Sequence, residues 1–479
     1  MTITLQRSLL LTICFLAHFM PVCSQNVAKG NTNIILLFSD DAGYRDFGFQ
    51  GSKTFKTPNL DRLAKDGMIF KQAYTTAAVC GPSRAGLLSG QYQQRFGFEE
   101  NNVPGFMSES SKLLGDEMGM PEHIKMIPAY LPNHYKSIVI GKWHMGNADK
   151  YHPLHKGFDE FYGLRGGARS FWPLSQKDAF ERPDNRLERG FKDYQEPDKY
   201  LTYDLAEEAC DFIARHQKKT FFMYMSFTAV HSPMQATDED LAAVDAMNLG
   251  LTGKRRVLAA MTLALDRGCG MILDKLKELG LEQNTLVIFS NDNGGPDGTE
   301  TCNYPLSGCK SNNLEGGIRV PMIMKWPGVV KPGTAYEHPV STLDFLPTFV
   351  NAAGGDAATI KGLDGVDLRP YVTGDNKDRP HEVLFWKKEN RGMVRLGDYK
   401  LLRFPDRPAE LYNIAQDEEE KYNLAAKQPE RVREMFKILW EWESELERPL
   451  FMLKRVYEVN AMKRMDEKRD PVLDAMDIP

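Results

Sequence analysis

The composition of the chain excludes several classes of protein. It has 479 residues, of which 42% are hydrophobic and 26% are charged, and 60 Lys and Arg against 65 Asp and Glu give a net charge of −5. This balance is ordinary for a soluble globular protein and excludes a disordered, collagen-like or coiled-coil chain. The slight acidity argues against a nucleic-acid-binding protein, which would carry a basic surface.

The N-terminal segment predicts an export signal. Arg7 precedes an apolar run over residues 9–19 that is too short to span a bilayer. Residues 1–24 are therefore predicted to be a signal peptide, with Val22 and Ser24 as small residues at positions −3 and −1 of the cleavage site. No later stretch is long and apolar enough for a membrane helix. We expect the mature protein in the periplasm or secreted, and not in a membrane.

The cysteine count also bears on the compartment. Five cysteines follow the leader: Cys80, Cys210, Cys269, Cys302 and Cys309. An odd number in an oxidising compartment leaves one thiol unpaired, and the other four allow three pairings. A disulfide between Cys302 and Cys309 would close the shortest loop and is the predicted pairing. Cys23 also allows a lipid-attached form, although Val22 beside it is too large for the usual attachment box.

Short apolar runs alternate with helical stretches along most of the chain. The runs of strand length cover residues 33–38, 137–140, 221–227, 285–290 and 321–326. They are nearly continuous in apolar residues, as expected for strands buried on both faces of a mainly parallel sheet. Between the third and fourth runs, residues 258–279 have apolar side chains at helical spacing. The pattern predicts an α/β fold with a large, mainly parallel sheet flanked by helices.

The C-terminal part of the chain has a different pattern. Four short strands are predicted over residues 383–412, and a helix with one apolar face is predicted over residues 429–445. These elements predict a smaller C-terminal α+β domain. The predicted boundaries are 25–378 for the large domain and 379–450 for the smaller one. Residues 451–479 form a charged tail to which the sequence assigns no role.

Four of the predicted strands end in polar residues. These are Ser39, Asp40 and Asp41 after the first, Lys142 and His144 after the second, His231 after the third, and Asp292 and Asn293 after the fourth. Each group alone also fits a structural role, such as a turn, a helix cap or a buried structural histidine. Because ligands bind at the carboxyl ends of strands in open α/β sheets, we expect the four groups to converge on one crevice.

Acidic and amide side chains in these groups predict a metal site. Asp40, Asp41, Asp292 and Asn293 together offer three carboxylates and one amide oxygen. An all-oxygen, anionic set suits Ca²⁺, or less well Mg²⁺, and does not suit zinc. Three unpaired carboxylates in one crevice would repel one another, so the arrangement requires a cation.

The most specific signal is the segment Cys80-Gly81-Pro82-Ser83-Arg84. A C-x-P-S-R pattern is expected by chance on the order of 10⁻³ times in a chain of this size. Pro82 early in a helix would place residue 80 at a helix N-terminus, where unpaired N–H groups favour an anion. The alternative is a buried cysteine in a turn.

This segment and its surroundings resemble the type I (formylglycine-dependent) sulfatases of the alkaline phosphatase-like superfamily. Residues 80–90 (CGPSRAGLLSG) are similar to the signature in which the cysteine is oxidised to formylglycine by a maturating enzyme. The resemblance extends over residues 31–424 and includes the block GLEQNTLVIFSNDNGG at 280–295. One departure is Val230 before His231, where many members have proline.

The resemblance implies a role for each matching residue. The calcium ligands would be Asp40, Asp41, Asp292 and Asn293, with residue 80 as formylglycine completing the set. The sulfate-site residues would be Arg84, Lys142, His144, His231 and Lys310. In this family, formylglycine is the nucleophile, the two lysines bind sulfate oxygens, His231 is the general acid and His144 is the base. Arg84 would hold the formylglycine.

The segment after His144 gives a weaker indication of the substrate. Arg165, Arg169 and Trp172 lie in a stretch where an aromatic ring beside arginines would suit a sugar with a further anionic group. The alternative is that Trp172 and the neighbouring Phe171 belong to the core. We expect a bacterial polysaccharide sulfatase acting on sulfated glycans, with an algal galactan such as carrageenan as the first candidate.

Two other functions fit parts of the sequence. A phosphodiesterase or phosphatase of the same superfamily would need a Ser or Thr nucleophile and usually two metals, so Cys80 and the single-metal set argue against it. A non-catalytic glycan-binding protein would result if Cys80 were not converted.

Overall fold

The computed structural model describes residues 32–175, 177–178, 183–193, 196 and 198–470. The predicted signal peptide lies outside these residues. Within the part of the chain that is described, every helix is too short or too polar to cross a membrane.

Strands and helices alternate along the first two thirds of the described chain. The strands are β1 (Asn33–Ser39), β2 (Met68–Phe70), β3 (Ala73–Tyr74), β4 (Lys136–Lys142), β5 (Glu160–Leu164), β6 (Glu188–Arg189), β7 (Lys192–Asp193), β8 (Phe221–Ser226), β9 (Thr285–Asn291), β10 (Arg319–Val320), β11 (Met322–Lys325), β12 (Thr334–Tyr336), β13 (Val340–Ser341), β14 (Val383–Lys388), β15 (Arg391–Leu396), β16 (Tyr399–Arg403) and β17 (Glu410–Asn413). The helices are α1 (Pro58–Lys65), α2 (Cys80–Ser89), α3 (Glu109–Lys112), α4 (Leu201–His216), α5 (Asp238–Ala246), α6 (Gly253–Glu278), α7 (Glu315–Ile318), α8 (Phe345–Ala352), α9 (Arg369–Val372), α10 (Pro429–Glu443) and α11 (Arg455–Glu467).

The large sheet has its parallel strands at the centre. Its order is β12-β2-β11-β9-β1-β8-β4-β5-β6-β7 among the described residues. The five central strands, β9 to β5, are parallel, whereas β11 and β6 pair antiparallel with their inner neighbours. The prediction of a mainly parallel sheet is confirmed. The run at 321–326, here β11, belongs to the same sheet but runs in the opposite direction.

Helices cover both faces of this sheet. Along β1, Ile35 and Leu37 face a core that includes Leu205 of α4 and Leu258 of α6. The alternate residues of β1 face a second core that contains side chains of α2 and α8. Because both faces are packed, residues 34–38 are all fully buried, which explains why the strand is apolar at every position.

A smaller antiparallel sheet follows in the C-terminal part. Its order is β14-β15-β16-β17, and α10 packs on it through Met435, Leu439 and Trp442. The strands and the helix agree with the sequence prediction of a small C-terminal α+β unit. The tail, which received no role from the sequence, contains α11.

Contacts from β14 hold the C-terminal sheet against loop segments of the preceding part of the chain. The indole Nε1 of Trp386 donates to the carbonyl of Thr75 at 2.7 Å. Lys388 Nζ lies 2.7 Å from Glu100 Oε1, and both side chains are buried. The end of β14 is therefore held close to the carboxyl edge of the large sheet, where the polar groups collect.

The predicted disulfide between Cys302 and Cys309 is wrong. None of the five cysteines in the described part of the chain forms a disulfide. The backbone N–H of Cys302 donates to Asp46 Oδ2 at 3.0 Å, whereas the Cys309 thiol lies 3.4 Å from Asn312 Nδ2 within its own turn. The two cysteines are thus held by different partners, which short sequence separation could not reveal.

Candidate active site

The polar groups at the strand ends converge, as the strand order requires. β9, β1, β8 and β4 are adjacent and parallel, so the segments that follow them leave the sheet at the same edge. Helix α2 approaches this edge with Cys80 at its first turn. Lys310, from the segment between β9 and α7, completes the arrangement.

Three carboxylates form the centre of the site. Ligand atoms of Asp40, Asp41, Cys80 and Asp292 all lie within 4.8 Å of one another, and the four side chains are buried. Burial, together with the neighbouring Asp292 carboxylate, raises the pKa of Asp40 to about 8. So much negative charge in a buried space is unstable without cations.

The donor set fits a hard cation. Asn293 is fully buried, and its Oδ1 has no hydrogen-bond partner among the described residues, while its Nδ2 donates to Asp41 Oδ1 at 2.7 Å. A buried carbonyl oxygen without a donor is costly unless a ligand uses it. Carboxylate oxygens and an amide oxygen are the ligands that Ca²⁺ prefers. The residues of the predicted metal site therefore suit this ion.

Basic side chains surround the carboxylates. Lys142 Nζ lies 2.7 Å from Asp40 Oδ2, and Lys310 Nζ lies 2.6 Å from Asp41 Oδ1. Lys310 Nζ is also 3.2 Å from Cys80 Sγ. These two ammonium groups bring positive charge to the place where the cysteine points.

Arg84 is buried completely behind the cysteine. Its guanidinium donates to Asp292 Oδ2 at 2.8 Å and to the hydroxyl of Tyr224 at 3.2 Å. It also contacts Ser226 Oγ. Arg84 thus fixes Asp292 and closes the base of the site.

Cys80 is placed by the start of α2. The backbone N–H of Gly81 donates to Asn101 Oδ1 at 2.8 Å, which satisfies one of the free donors of this helix end. Cys80 Sγ lies 3.6 Å from Asp40 Oδ1. Burial, with a contribution from Asp292, raises the pKa of the Cys80 thiol. An unmodified thiol here is therefore protonated at neutral pH and a poor nucleophile.

The two histidines differ in their contacts. His231 Nε2 lies 3.3 Å from Asp41 Oδ2, and Nδ1 lies 2.6 Å from the carbonyl oxygen of Ser232. Both ring nitrogens of the buried His144 are without hydrogen-bond partners in the described structure, and its φ is 59°. Burial lowers the pKa of each imidazole, to about 4 for His231. His144 therefore lines the cavity with two ring nitrogens that have no hydrogen-bond partner among the described residues.

A cavity of about 460 Å³ opens from Cys80 to the surface. Cys80, His144, His231 and Lys310 lie along its inner part. This volume lies within the range of about 300–1,000 Å³ that is typical of small-molecule sites. Four of the six predicted catalytic residues thus share one accessible space, whereas Arg84 and Lys142 are fully buried and do not line it.

The structure does not bring the three predicted substrate-binding residues to this cavity. Arg165 pairs with Glu188 and with Asp149 at 2.6 Å, and Arg169 is buried in a pair with Glu196 at 2.5 Å. Trp172 packs edge-on against Tyr200 and is 37% exposed. The two guanidinium groups are committed to nearby carboxylates, and the backbone of residues 166–168 lines the cavity instead.

Several cavity residues were not predicted from the sequence. They are Asn102, Phe106, Lys388, Tyr457, Ala461 and Arg464. The last three belong to α11, far along the chain from the strand ends. The spacing of 457, 461 and 464 is that of one helix face, but nothing in that spacing distinguishes a cavity wall from a packed core.

The fold and the site define an α/β protein with carboxylates, lysines and histidines gathered at the carboxyl ends of its parallel strands, and the comparisons specify the family. The sulfatase family model matches residues 32–355, and a model for the C-terminal region of N-sulphoglucosamine sulphohydrolase matches residues 310–447. The N-acetylgalactosamine-6-sulfatase of Canis lupus familiaris is 32% identical over 394 residues, which cover 77% of this chain and 71% of the relative. The steryl-sulfatase of Mus musculus is 31% identical over 433 residues, covering 74% and 67%.

A solved structure is similar over nearly the whole chain. Ps i-CgsB, crystallised in complex with k-i-k-neocarrahexaose, superposes with a TM-score of 0.81 at 33% identity and covers 91% of this chain and 97% of its own. The chain belongs to the sulfatase family, as a type I sulfatase of the alkaline phosphatase-like superfamily, and is a sulfuric ester hydrolase.

Proposed function

We propose that this enzyme is exported and hydrolyses sulfate esters on carbohydrates, using one Ca²⁺ and a formylglycine made from Cys80. The observation that carries the proposal is the position of Cys80, which lies between the carboxylate cluster and Lys310 at the inner end of an open cavity. A raised thiol pKa makes an oxygen nucleophile at this position more suitable than the thiol itself.

Calcium would be held by Asp40, Asp41, Asp292 and Asn293, with residue 80 as a further ligand. Bound there, the cation would neutralise the carboxylates and polarise a sulfate oxygen. A maturating enzyme would supply the aldehyde at residue 80, and the hydrated aldehyde would provide the attacking oxygen. The other functions belong to side chains of the chain itself.

The basic residues bind and orient the sulfate group. Lys142 is paired with Asp40, and Lys310 is paired with Asp41. Both ammonium groups lie close to residue 80, so each can donate charge-assisted hydrogen bonds to a sulfate oxygen. Their charges also stabilise the negative charge that grows on the sulfate oxygens in the transition state. Arg84 keeps Asp292 and the start of α2 in place.

The histidines move protons. His231 lines the cavity. Burial lowers the pKa of its imidazole in the free enzyme, but the negative charge of a bound sulfate ester raises that pKa and favours the protonated ring, which then donates a proton to the departing sugar oxygen. His144 lies deeper and accepts a proton from residue 80 when sulfate is released. Because its ring nitrogens have no partner in the described residues, it is free to act as a base.

The carbohydrate substrate is inferred from the relatives and from the cavity. Ps i-CgsB binds a neocarrahexaose, and N-acetylgalactosamine-6-sulfatase is named for a sulfated sugar. The cavity opens to the surface and is lined by polar and aromatic side chains, as a sugar requires. A sulfated galactan such as carrageenan is the first candidate, and export to the periplasm or medium would bring the enzyme to it.

Sulfate release from a panel of glycans tests the proposed function. The panel contains carrageenans, ulvan, fucoidan, chondroitin sulfate and heparan sulfate, as polymers and as oligosaccharides, with an aryl phosphodiester as a further substrate. We expect sulfate release from at least one glycan. Cleavage of the phosphodiester alone would favour the phosphodiesterase alternative, and glycan binding without release would favour a non-catalytic binding protein.

Gly167 provides a test of the role of His144. A Cβ atom on Gly167 would lie 2.4 Å from His144 Nε2, so Gly167→Ala must displace the imidazole. We expect kcat to fall roughly 100-fold, since a shift of about 1 Å in a catalytic group costs that much. Gly268→Ala is the control, because its Cβ would meet only ordinary contacts at 3.4–3.5 Å. Unchanged kinetics in Gly167→Ala would argue against His144 as the base.

A further inference from the structure

We infer that α11 forms a second anion-binding subsite, in which Arg464 binds a further sulfate or carboxylate of the substrate while Phe106 and Tyr457 contact a sugar ring. This inference rests on the proposed function and specifies its substrate: an oligosaccharide with a second anionic group on the sugar next to the reacting one. None of these residues belongs to the sulfate site around Cys80.

The position of α11 makes it one wall of the cavity. Tyr457, Ala461 and Arg464 lie on one helix face and line the same cavity as Cys80. Met462 and Met465 anchor the helix in the core that includes the C-terminal sheet. The cavity wall is therefore a fixed part of the fold.

Arg464 carries a charge that is not matched by a neighbouring carboxylate. Within the described residues its guanidinium makes no hydrogen bond or ion pair, although it lines the cavity and is half-buried. The two lysines that line the cavity are already in ion pairs. Lys388 lies 2.7 Å from Glu100, and Lys310 lies 2.6 Å from Asp41. Burial lowers the pKa of the nearby Arg391 guanidinium, and the charge of Arg464 adds a smaller contribution in the same direction. An anion is the ligand that such a group would bind.

Aromatic and polar groups beside Arg464 suit a sugar ring. Phe106 is 48% exposed, and its ring centroid lies 5.0 Å from that of Tyr457 in an edge-on arrangement. An exposed aromatic pair at a cavity mouth provides an apolar face on which a pyranose can pack. Asn102 is only 5% exposed, and its Oδ1 has no hydrogen-bond partner in the described part of the chain. This oxygen can accept a hydrogen bond from a sugar hydroxyl.

Direct binding tests the subsite independently of hydrolysis. The probes are two carrageenan tetrasaccharides, one with a single sulfate per disaccharide and one with two. Binding is measured by calorimetry in a Cys80→Ala background, where the probes are not consumed. We expect tighter binding of the doubly sulfated probe. Arg464→Gln should weaken its binding at least about tenfold, as expected for one lost charge-assisted contact, and weaken the singly sulfated probe by less than about threefold.

A neighbouring residue on α11 provides the matched control. Lys463 is 72% exposed and pairs only loosely with Glu467 at 3.7 Å, so Lys463→Gln removes the same charge without touching the cavity. It should leave both affinities unchanged. Equal affinity of the two probes, or an equal loss for both in Arg464→Gln, would overturn the inference. If the wild-type enzyme released no sulfate but binding still depended on Arg464, the proposed hydrolysis would be refuted and the inferred subsite would be supported.

Discussion

Replacing Cys80 with alanine is expected to reduce sulfate release by at least about 10⁴-fold, the scale of loss when a nucleophile is removed. Alanine cannot be converted to an aldehyde, and its methyl group supplies no attacking oxygen. The surrounding groups would remain in place, because α2 is held by Gly81 and Arg84 as well. Sulfate release from the best substrate of the panel is the measurement.

The same prediction has a chemical readout. The peptide from Gln72 to Arg84 contains Cys80 and ends at an arginine, so it is suited to mass spectrometry after tryptic digestion. In an active preparation its mass should correspond to an aldehyde oxygen in place of the thiol. Cys80→Ser should be slow or trapped, since a serine has only one hydroxyl with which to accept and then release sulfate.

Cys210→Ala serves as the control for these variants. Cys210 is a partly exposed cysteine on α4 and lies outside the site, so its loss should leave activity and the Cys80 peptide unchanged. Normal turnover in Cys80→Ala, or a free thiol on every copy of an active enzyme, would be incompatible with formylglycine chemistry.

Much of this site could be predicted from the sequence because it depends on strand order. The apolar runs of β1, β4, β8 and β9 are buried on both faces, which makes them recognisable, and each is followed by polar residues. Once these strands are parallel and adjacent, their carboxyl ends must meet. The convergence of Asp40, Lys142, His231 and Asp292 therefore follows from pattern and topology together.

The outer part of the cavity depends on packing that pattern does not encode. Arg165 and Arg169 are close in sequence to His144, but nearby carboxylates on other segments capture their guanidinium groups. Arg464 lies far away in sequence and reaches the cavity because α11 packs across it. Long-range side-chain pairing of this kind is set by tertiary structure, which a single sequence does not specify.

Removing a carboxylate from the central cluster should abolish stabilisation by calcium. A ligand that binds only the folded state stabilises it by about 2.7 kcal/mol at 100 times its Kd, so calcium should raise the Tm of the wild-type enzyme. Asp292→Asn replaces a carboxylate that lies within 4.8 Å of Asp40 and would be a ligand of the ion. We expect the calcium-dependent rise in Tm to disappear in this variant, and sulfate release to fall in parallel. Differential scanning fluorimetry over a range of calcium concentrations measures the first effect without reference to activity.

Two overlapping sets of side chains in the site could hold a metal, and they differ in the metal that they prefer. Asp40, Asp41 and Asp292 form an oxygen set that prefers calcium, whereas Asp41, Cys80 and His231 also lie close enough to hold a metal and include the nitrogen and sulfur donors that zinc prefers. Calcium should therefore shift the Tm more than zinc does, and the chelator EGTA should abolish sulfate release. Asp245→Asn, on the surface of α5 in a pair with Arg256, should retain the calcium response. A larger shift with zinc, or a full calcium response in Asp292→Asn, would place the ion on other ligands and remove the electrostatic basis of the proposed mechanism.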